Sequence, residues 1–236
     1  MDGEGACLIC GKPLQYLEAA EAMECEICHK VHMSNGKCKS GHYVCDECHS
    51  KNGIEIIKEF CMKSDSRNPI EIAGRIMGSS YIHMHGPEHH VLVGSSLLTA
   101  YANSGGDIEL ESGLDEMAMR GQQVPGGFCG FHGCCGAAVS TGIYYSIITG
   151  CSPLHEEEWK RANLMTAASL TAIAEYGGPR CCKRDSFLAI LEAADYTEKK
   201  LGISMELPER LACGFFKKNK ECLEERCPFY PKAKCV

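Results

Sequence analysis

Residues 7–50 read CLICGKPLQYLEAAEAMECEICHKVHMSNGKCKSGHYVCDECHS, and the spacing of cysteine and histidine in this stretch decides how the chain is organised. Four ligand pairs stand in it: Cys7-x2-Cys10, Cys25-x2-Cys28, Cys38-x3-His42 and Cys45-x2-Cys48. A CxxC turn lets two thiolates converge on one tetrahedral ion, and two such pairs complete a structural zinc site. Eight ligands therefore predict two zinc ions. If the pairs alternate, as in cross-braced zinc folds, Cys7, Cys10, Cys38 and His42 hold one ion while Cys25, Cys28, Cys45 and Cys48 hold the other. Sequential pairing is the competing assignment. The segment is short and polar, with no apolar periodicity able to build a core, so metal must supply its folding free energy. We expect a ribbon-like or treble-clef-like zinc module over residues 1–52, with His29, His32 and His49 as spare imidazoles outside the ligand set.

Beyond the module the punctuation is helical. Gly53 to Phe60 looks helical, and Asn68-Pro69 reads as a cap followed by a first-turn proline. Pro87 opens PEHHVLVGSSLLTAYANS, whose apolar residues Val91, Leu97, Leu98 and Tyr101 precede a Gly105-Gly106 stop. A short helix from Leu114 to Arg120 leads to a glycine-rich loop over 124–136. Ser152-Pro153 then starts a long helix that Gly177-Gly178-Pro179 ends, and a last one runs from Asp185 to Leu201 with Gly202 after it. No strand alternation defines a large sheet, and no internal repeat is present. The expected fold is a mostly α-helical main domain over 53–236 behind the small zinc module.

Composition fits a soluble globular chain: of 236 residues 44% are hydrophobic and 23% charged. The net charge of −7 argues against a nucleic-acid partner, which needs a cationic surface. The start MDGEGACLIC lacks a leader-like basic and apolar pattern, and the weakly polar stretch from Ala137 to Gly150 is too short to span a bilayer. A cytoplasmic protein without a membrane segment is expected. Eighteen cysteines in such a compartment point to metal or redox chemistry rather than to disulfides.

Three further groups carry chemistry. YIHMHGPEHH places His83, His85, His89 and His90 within one short run, with His85 and His89 as the expected working pair and Glu88 as their supporting partner. GGFCGFHGCCG and GGPRCCKRDSF put Cys129, Cys134, Cys135, Cys181 and Cys182 at expected helix N-termini, where backbone N–H groups and the helix dipole lower a thiol pKa. Lastly, Cys213, Cys222, Cys227 and Cys235 lie in CGFFKKNKECLEERCPFYPKAKC, a set able to hold an iron–sulfur cluster such as a 4Fe–4S cubane, or else zinc.

The segments CLICGKPLQYLEAAEAMECEICHK, SGHYVCDECHS, IHMHGPEHHVLV, VPGGFCGFHGCCGAAVSTGIYYSIITG and GGPRCCKRDSFLAI together resemble domain-of-unknown-function family 5714. The resemblance spans nearly the whole chain. It implies a zinc-ribbon-like start and an anaerobic archaeal or bacterial setting, and some members carry a methyltransferase label. No glycine-rich nucleotide loop follows an expected strand here, so the residues give no independent sign of S-adenosylmethionine binding.

Two readings of function follow. In the first, a metalloprotein of anaerobes uses Cys129, Cys134, Cys135, Cys181, Cys182, His85 and His89 as one centre for iron–sulfur, sulfur-transfer or thiol redox chemistry. In the second, the chain is a non-catalytic zinc adaptor whose module docks a protein partner such as a methyltransferase or radical enzyme.

Overall fold

The computed structural model describes residues 7, 9, 10 and 12–231. Strand β1 (Leu14–Glu24) pairs antiparallel with β2 (Val31–Cys38), Leu14 lying opposite Cys38 and Glu24 opposite Val31, with an irregularity between Tyr16 and Glu21. This two-stranded hairpin buries little of its own surface, and such ribbons are marginal alone. Ligand pairs before, between and after the strands mark what holds it. The composition of β1, LQYLEAAEAME, favours helix, so local propensity does not explain this strand.

Helix α1 (Asp46–Lys63) begins directly after Cys45, with Asp46 and Glu47 at its positive end. It crosses the expected boundary at 52/53 without a break, and the helix expected over Gly53–Phe60 is the second half of this longer element. α2 (Pro69–Met77) starts as the sequence indicates: Asn68 Oδ1 accepts from the backbone N–H groups of Ile70 and Glu71, both at 3.0 Å. α3 (His89–Asn103) is buried on nearly every side from Val91 to Tyr101 and touches α1, α2, α4, α6 and α8, which makes it the axis of the domain.

Around it stand α4 (Leu110–Gly121), the short α5 (Phe128–Phe131) inside the glycine-rich loop, α6 (Gly136–Ile148), α7 (Glu156–Tyr176) and α8 (Cys182–Leu201). Three starts differ from expectation. α4 begins at Leu110 because the Glu109 carboxylate caps it, accepting from Ser112 N at 2.7 Å. α7 begins after His155 rather than at Pro153, and α8 begins at Cys182, one turn early. Gly94 lets α3 approach α4 and α6: a Cβ there would lie 2.1 Å from Met117 Sδ, and its N–H donates to Ser140 Oγ at 2.9 Å. Buried hydroxyls tie the inner helices together, with Tyr144 to Thr197 at 3.1 Å and Thr141 to Ser169 at 2.9 Å.

After α8 the chain folds back as two 3-10 turns, Phe216–Lys218 and Glu224–Arg226. The Phe187 and Phe229 rings meet edge-on at 5.7 Å, and Cys213 N donates to Phe229 O at 2.7 Å, so this tail is seated on α8. No helix among the described residues is long and apolar enough to cross a membrane.

Candidate metal and cysteine sites

The eight N-terminal ligands separate into two quartets by alternate pairs. Cys7, Cys10, Cys38 and His42 form one and Cys25, Cys28, Cys45 and Cys48 the other, the ligand atoms of each lying within 4.8 Å of one another. Cross-bracing, not sequential pairing, is the arrangement. Cys10 Sγ stands 3.5 Å from Cys38 Sγ, Cys7 Sγ 3.7 Å from His42 Nδ1, and Cys28 Sγ 3.7 Å from Cys45 Sγ. A tetrahedral ion with metal–sulfur bonds of about 2.3 Å spaces its ligands at roughly that distance.

Electrostatics point the same way. Burial raises the Cys25 thiol, but N–H donors from Cys28, Cys45 and Ile27 outweigh it and bring the thiol down to about 6. Ser40 N–H does the same for Cys38, to about 7. Cys48, by contrast, is pushed up to about 12 by burial and by the neighbouring thiols. One thiolate in a quartet suppresses the next unless a cation sits among them, so both quartets can hold a metal ion.

The histidine run forms a loop, residues 83–88, that faces three ways. His83 N donates to Glu88 Oε1 at 2.8 Å, and His83 Nδ1 lies 3.3 Å from the same oxygen. His49, on the first turn of α1, places Nδ1 3.8 Å from Glu88 Oε2, and its ring lies 4.2 Å from that of His83. Glu88 is fully buried. His85 turns instead to the tail, with Nε2 3.3 Å from both Asn219 Oδ1 and Glu221 Oε2. His89 is enclosed: Nδ1 meets Gly86 O at 3.0 Å and Nε2 meets Lys183 Nζ at 3.1 Å. Because the lysine can only donate, the His89 proton sits on Nδ1 and both ring nitrogens are engaged. Burial holds His89 well below the ordinary range, at about 3, and lowers Lys183 to about 8. His85 and His89 are thus divided between the tail and the core, and no ligand cluster joins them among the described residues.

The paired cysteines divide as well. Cys182 lies within electrostatic reach of Cys135 and of Asp185, and its thiol takes a backbone hydrogen bond from Gly86. Cys129 is close enough to raise the Cys135 thiol, and Arg180 lies over the Tyr16 ring at 5.1 Å, bringing the hairpin against this region. Cys134 is partly exposed beside them. The helix N-termini do not produce the lowered pKa values expected from their position. Burial pushes Cys135 up to about 12, with Asp185 adding to it, and burial likewise raises Cys182. Desolvation outweighs the helix dipole.

Cys181 points elsewhere. It lines a pocket with Cys213, Cys222 and Cys227 beneath the folded tail, while Cys235 lies outside the described residues. Backbone and amide donors face three of these sulfurs: Arg184 N and Asn219 Nδ2 reach Cys181 Sγ at 3.5 Å, Phe215 N reaches Cys213 Sγ at 3.4 Å, and Glu224 N reaches Cys222 Sγ at 3.4 Å. Arg184 also lines the pocket, and its buried Nη1 has no hydrogen-bond partner. Arg184 Nε is nevertheless paired with the Asp185 carboxylate at 2.9 Å, so its charge is already matched. The pocket therefore offers four thiols and oriented N–H donors, a combination that suits a thiolate-ligated group.

His49, His83 and Glu88 bring ligand atoms within 4.8 Å of one another, and the two histidines lie outside the expected ligand set and working pair. His49 was signalled only by its position next to Cys48, and His83 only by membership of the histidine run.

A family model described as a family of unknown function, DUF5714, matches residues 57–230, so the chain belongs to that family. The match covers the helical domain and the tail through Tyr230 and begins after the two quartets. Neither a curated protein nor a solved structure matches the chain.

Proposed function

We propose that this member of the DUF5714 family is a redox-capable zinc and iron–sulfur protein. Zinc in the two N-terminal quartets would be structural, each ion filled by four protein ligands with no position left for substrate. Cys181, Cys213, Cys222 and Cys227 would hold an iron–sulfur cluster, a group that supplies one-electron transfer when bound.

The observation that carries this reading is the meeting of Cys181 with the three tail cysteines around one pocket. Among the described residues no three of these four thiols join a cluster of ligand atoms within 4.8 Å. A lone zinc ion draws its four sulfurs tightly together, whereas in a cubane each thiolate holds its own iron, so a set too spread for one ion can still ligate a cluster. The N–H donors would set the potential. Sulfur transfer by the paired cysteines is less well supported, since Cys135 and Cys182 are half-buried thiols with raised pKa values rather than ready nucleophiles. A cytoplasmic, reducing setting suits seventeen unpaired cysteines among the described residues.

Anaerobic purification followed by iron, acid-labile sulfide and zinc analysis with absorption spectroscopy tests the proposal. Iron and sulfide in equal amounts beside zinc are expected. Zinc alone would overturn it.

A second reading, docking of a protein partner by the zinc module, draws support from Val31 and Met33, which stand 66% and 67% exposed on β2. Partner capture should fall when both become serine while the zinc content stays unchanged.

A further inference from the structure

We infer that His49, His83 and Glu88 form a third metal site, which takes one divalent transition-metal ion of the zinc or ferrous type and keeps a coordination position open. It lies apart from both quartets and stands whether or not the tail pocket holds a cluster.

The donor set fits such an ion. Two imidazoles and one carboxylate are ligands of intermediate hardness, suited to zinc and ferrous iron, and three protein ligands leave room for water or a small oxygen-donor ligand. Metal–nitrogen and metal–oxygen bonds near 2.0–2.2 Å place two donors of one ion roughly 3–4 Å apart. Here His83 Nδ1 lies 3.3 Å from Glu88 Oε1 and His49 Nδ1 lies 3.8 Å from Glu88 Oε2, with one donor atom of each residue within 4.8 Å of the other two.

Unmet valence supports the assignment. Glu88 is completely buried, yet its Oε2 has no hydrogen-bond partner, and neither has the buried His49 Nδ1. The 3.8 Å between these atoms is too long for a hydrogen bond and right for two ligands of one ion. A buried carboxylate oxygen with nothing to accept from is costly, and a bound cation removes that cost. A simple imidazolium–carboxylate pair would not serve as well. The two rings lie 4.2 Å apart, so charging both sets like charges against each other, and at 3.8 Å a charged His49 alone still makes no hydrogen bond to Oε2.

The surroundings are shaped for it. A Cβ on Gly86 would fall 2.1 Å from Glu88 Oε2, so glycine is what admits the carboxylate. His83 N–H fixes Oε1, and Lys183 Nζ holds His83 O at 2.9 Å, which orients the loop carrying both groups. The side chains of His49 and His83 keep 21% and 26% exposure, so the site lies close to the surface. His49 directly follows Cys48. The zinc module thereby contributes one ligand to a site whose other two belong to the family domain.

The test uses full-length protein, exchanged against a mild chelator that strips nitrogen and oxygen sites while zinc analysis confirms that the quartets stay loaded. Titration with Co²⁺ should then show one further equivalent with ligand-field absorption and no thiolate-to-cobalt charge transfer. That equivalent should vanish in Glu88→Gln and in His83→Gln, with zinc content and circular dichroism unchanged. His83 is partly exposed, so its variant decides the matter if the change at buried Glu88 disturbs folding. Absence of such an equivalent in the parent protein, or equal uptake by His83→Gln, overturns the assignment.

Discussion

Cys181 and Cys182 are adjacent in the chain but serve different places: Cys181 lines the pocket with the tail cysteines, and Cys182 lies beside Cys135 and Gly86. Cys181 is the extended cap before α8 and Cys182 the first residue of the helix, so the two side chains leave the backbone in different directions and one Cys-Cys step feeds two environments. The loop over 83–88 lies between them. Its Met84 lines the pocket, Gly86 bonds Cys182, and His83 and Glu88 face His49 of α1.

The half-buried Cys135 leads to a pH prediction. With Cys135 pushed up to about 12 by burial first and by Asp185 next, it is a thiol at neutral pH, and its thiolate fraction grows about tenfold per pH unit. Alkylation of Cys135, followed by peptide mass spectrometry, should be slow near neutrality and climb without a plateau up to about pH 10. Cys61, fully buried and also raised to about 12 by burial, provides the control. A plateau near neutral pH would show that the helix N-terminus governs after all.

Each quartet should load and empty as a unit. Cys48→Ser and Cys10→Ser are each expected to remove one of the two zinc equivalents, measured by metal analysis of the purified variants. Cys48→Ser should also loosen the start of α1, read as faster amide exchange over residues 46–50. Retention of both ions in either variant would contradict the ligand assignment.

Two substitutions probe the helical domain. Asn68→Ala removes the acceptor for Ile70 and Glu71 N–H and should cost about 1 kcal/mol in urea unfolding. Gly94→Ala forces a Cβ against Met117 and Ser140 between packed helices and should cost about 1–3 kcal/mol. Unchanged stability in Gly94→Ala would mean that Met117 relocates freely.

Much of this was legible in local sequence. The three CxxC spacings and the Cys38-x3-His42 pair named all eight quartet ligands, and Asn68-Pro69 and Gly202 marked a helix start and a helix end, since caps act within a turn. The β-hairpin was not legible, because Leu14–Glu24 is rich in Ala and Glu and is held as a strand by ligands outside it. Long-range partners were also hidden. Cys181 joins cysteines more than thirty positions later, and no local rule distinguishes it from Cys182. The expected low thiol pKa values failed because a helix start indicates a dipole but not the depth at which it is buried.

The most direct test of the central claim compares Cys181→Ser with Cys182→Ser, both prepared anaerobically and assayed for iron and acid-labile sulfide. The pocket assignment requires that Cys181→Ser lose most of both while Cys182→Ser keeps the parent's content and absorption spectrum. Equal retention in the two variants, or loss confined to Cys182→Ser, would contradict it.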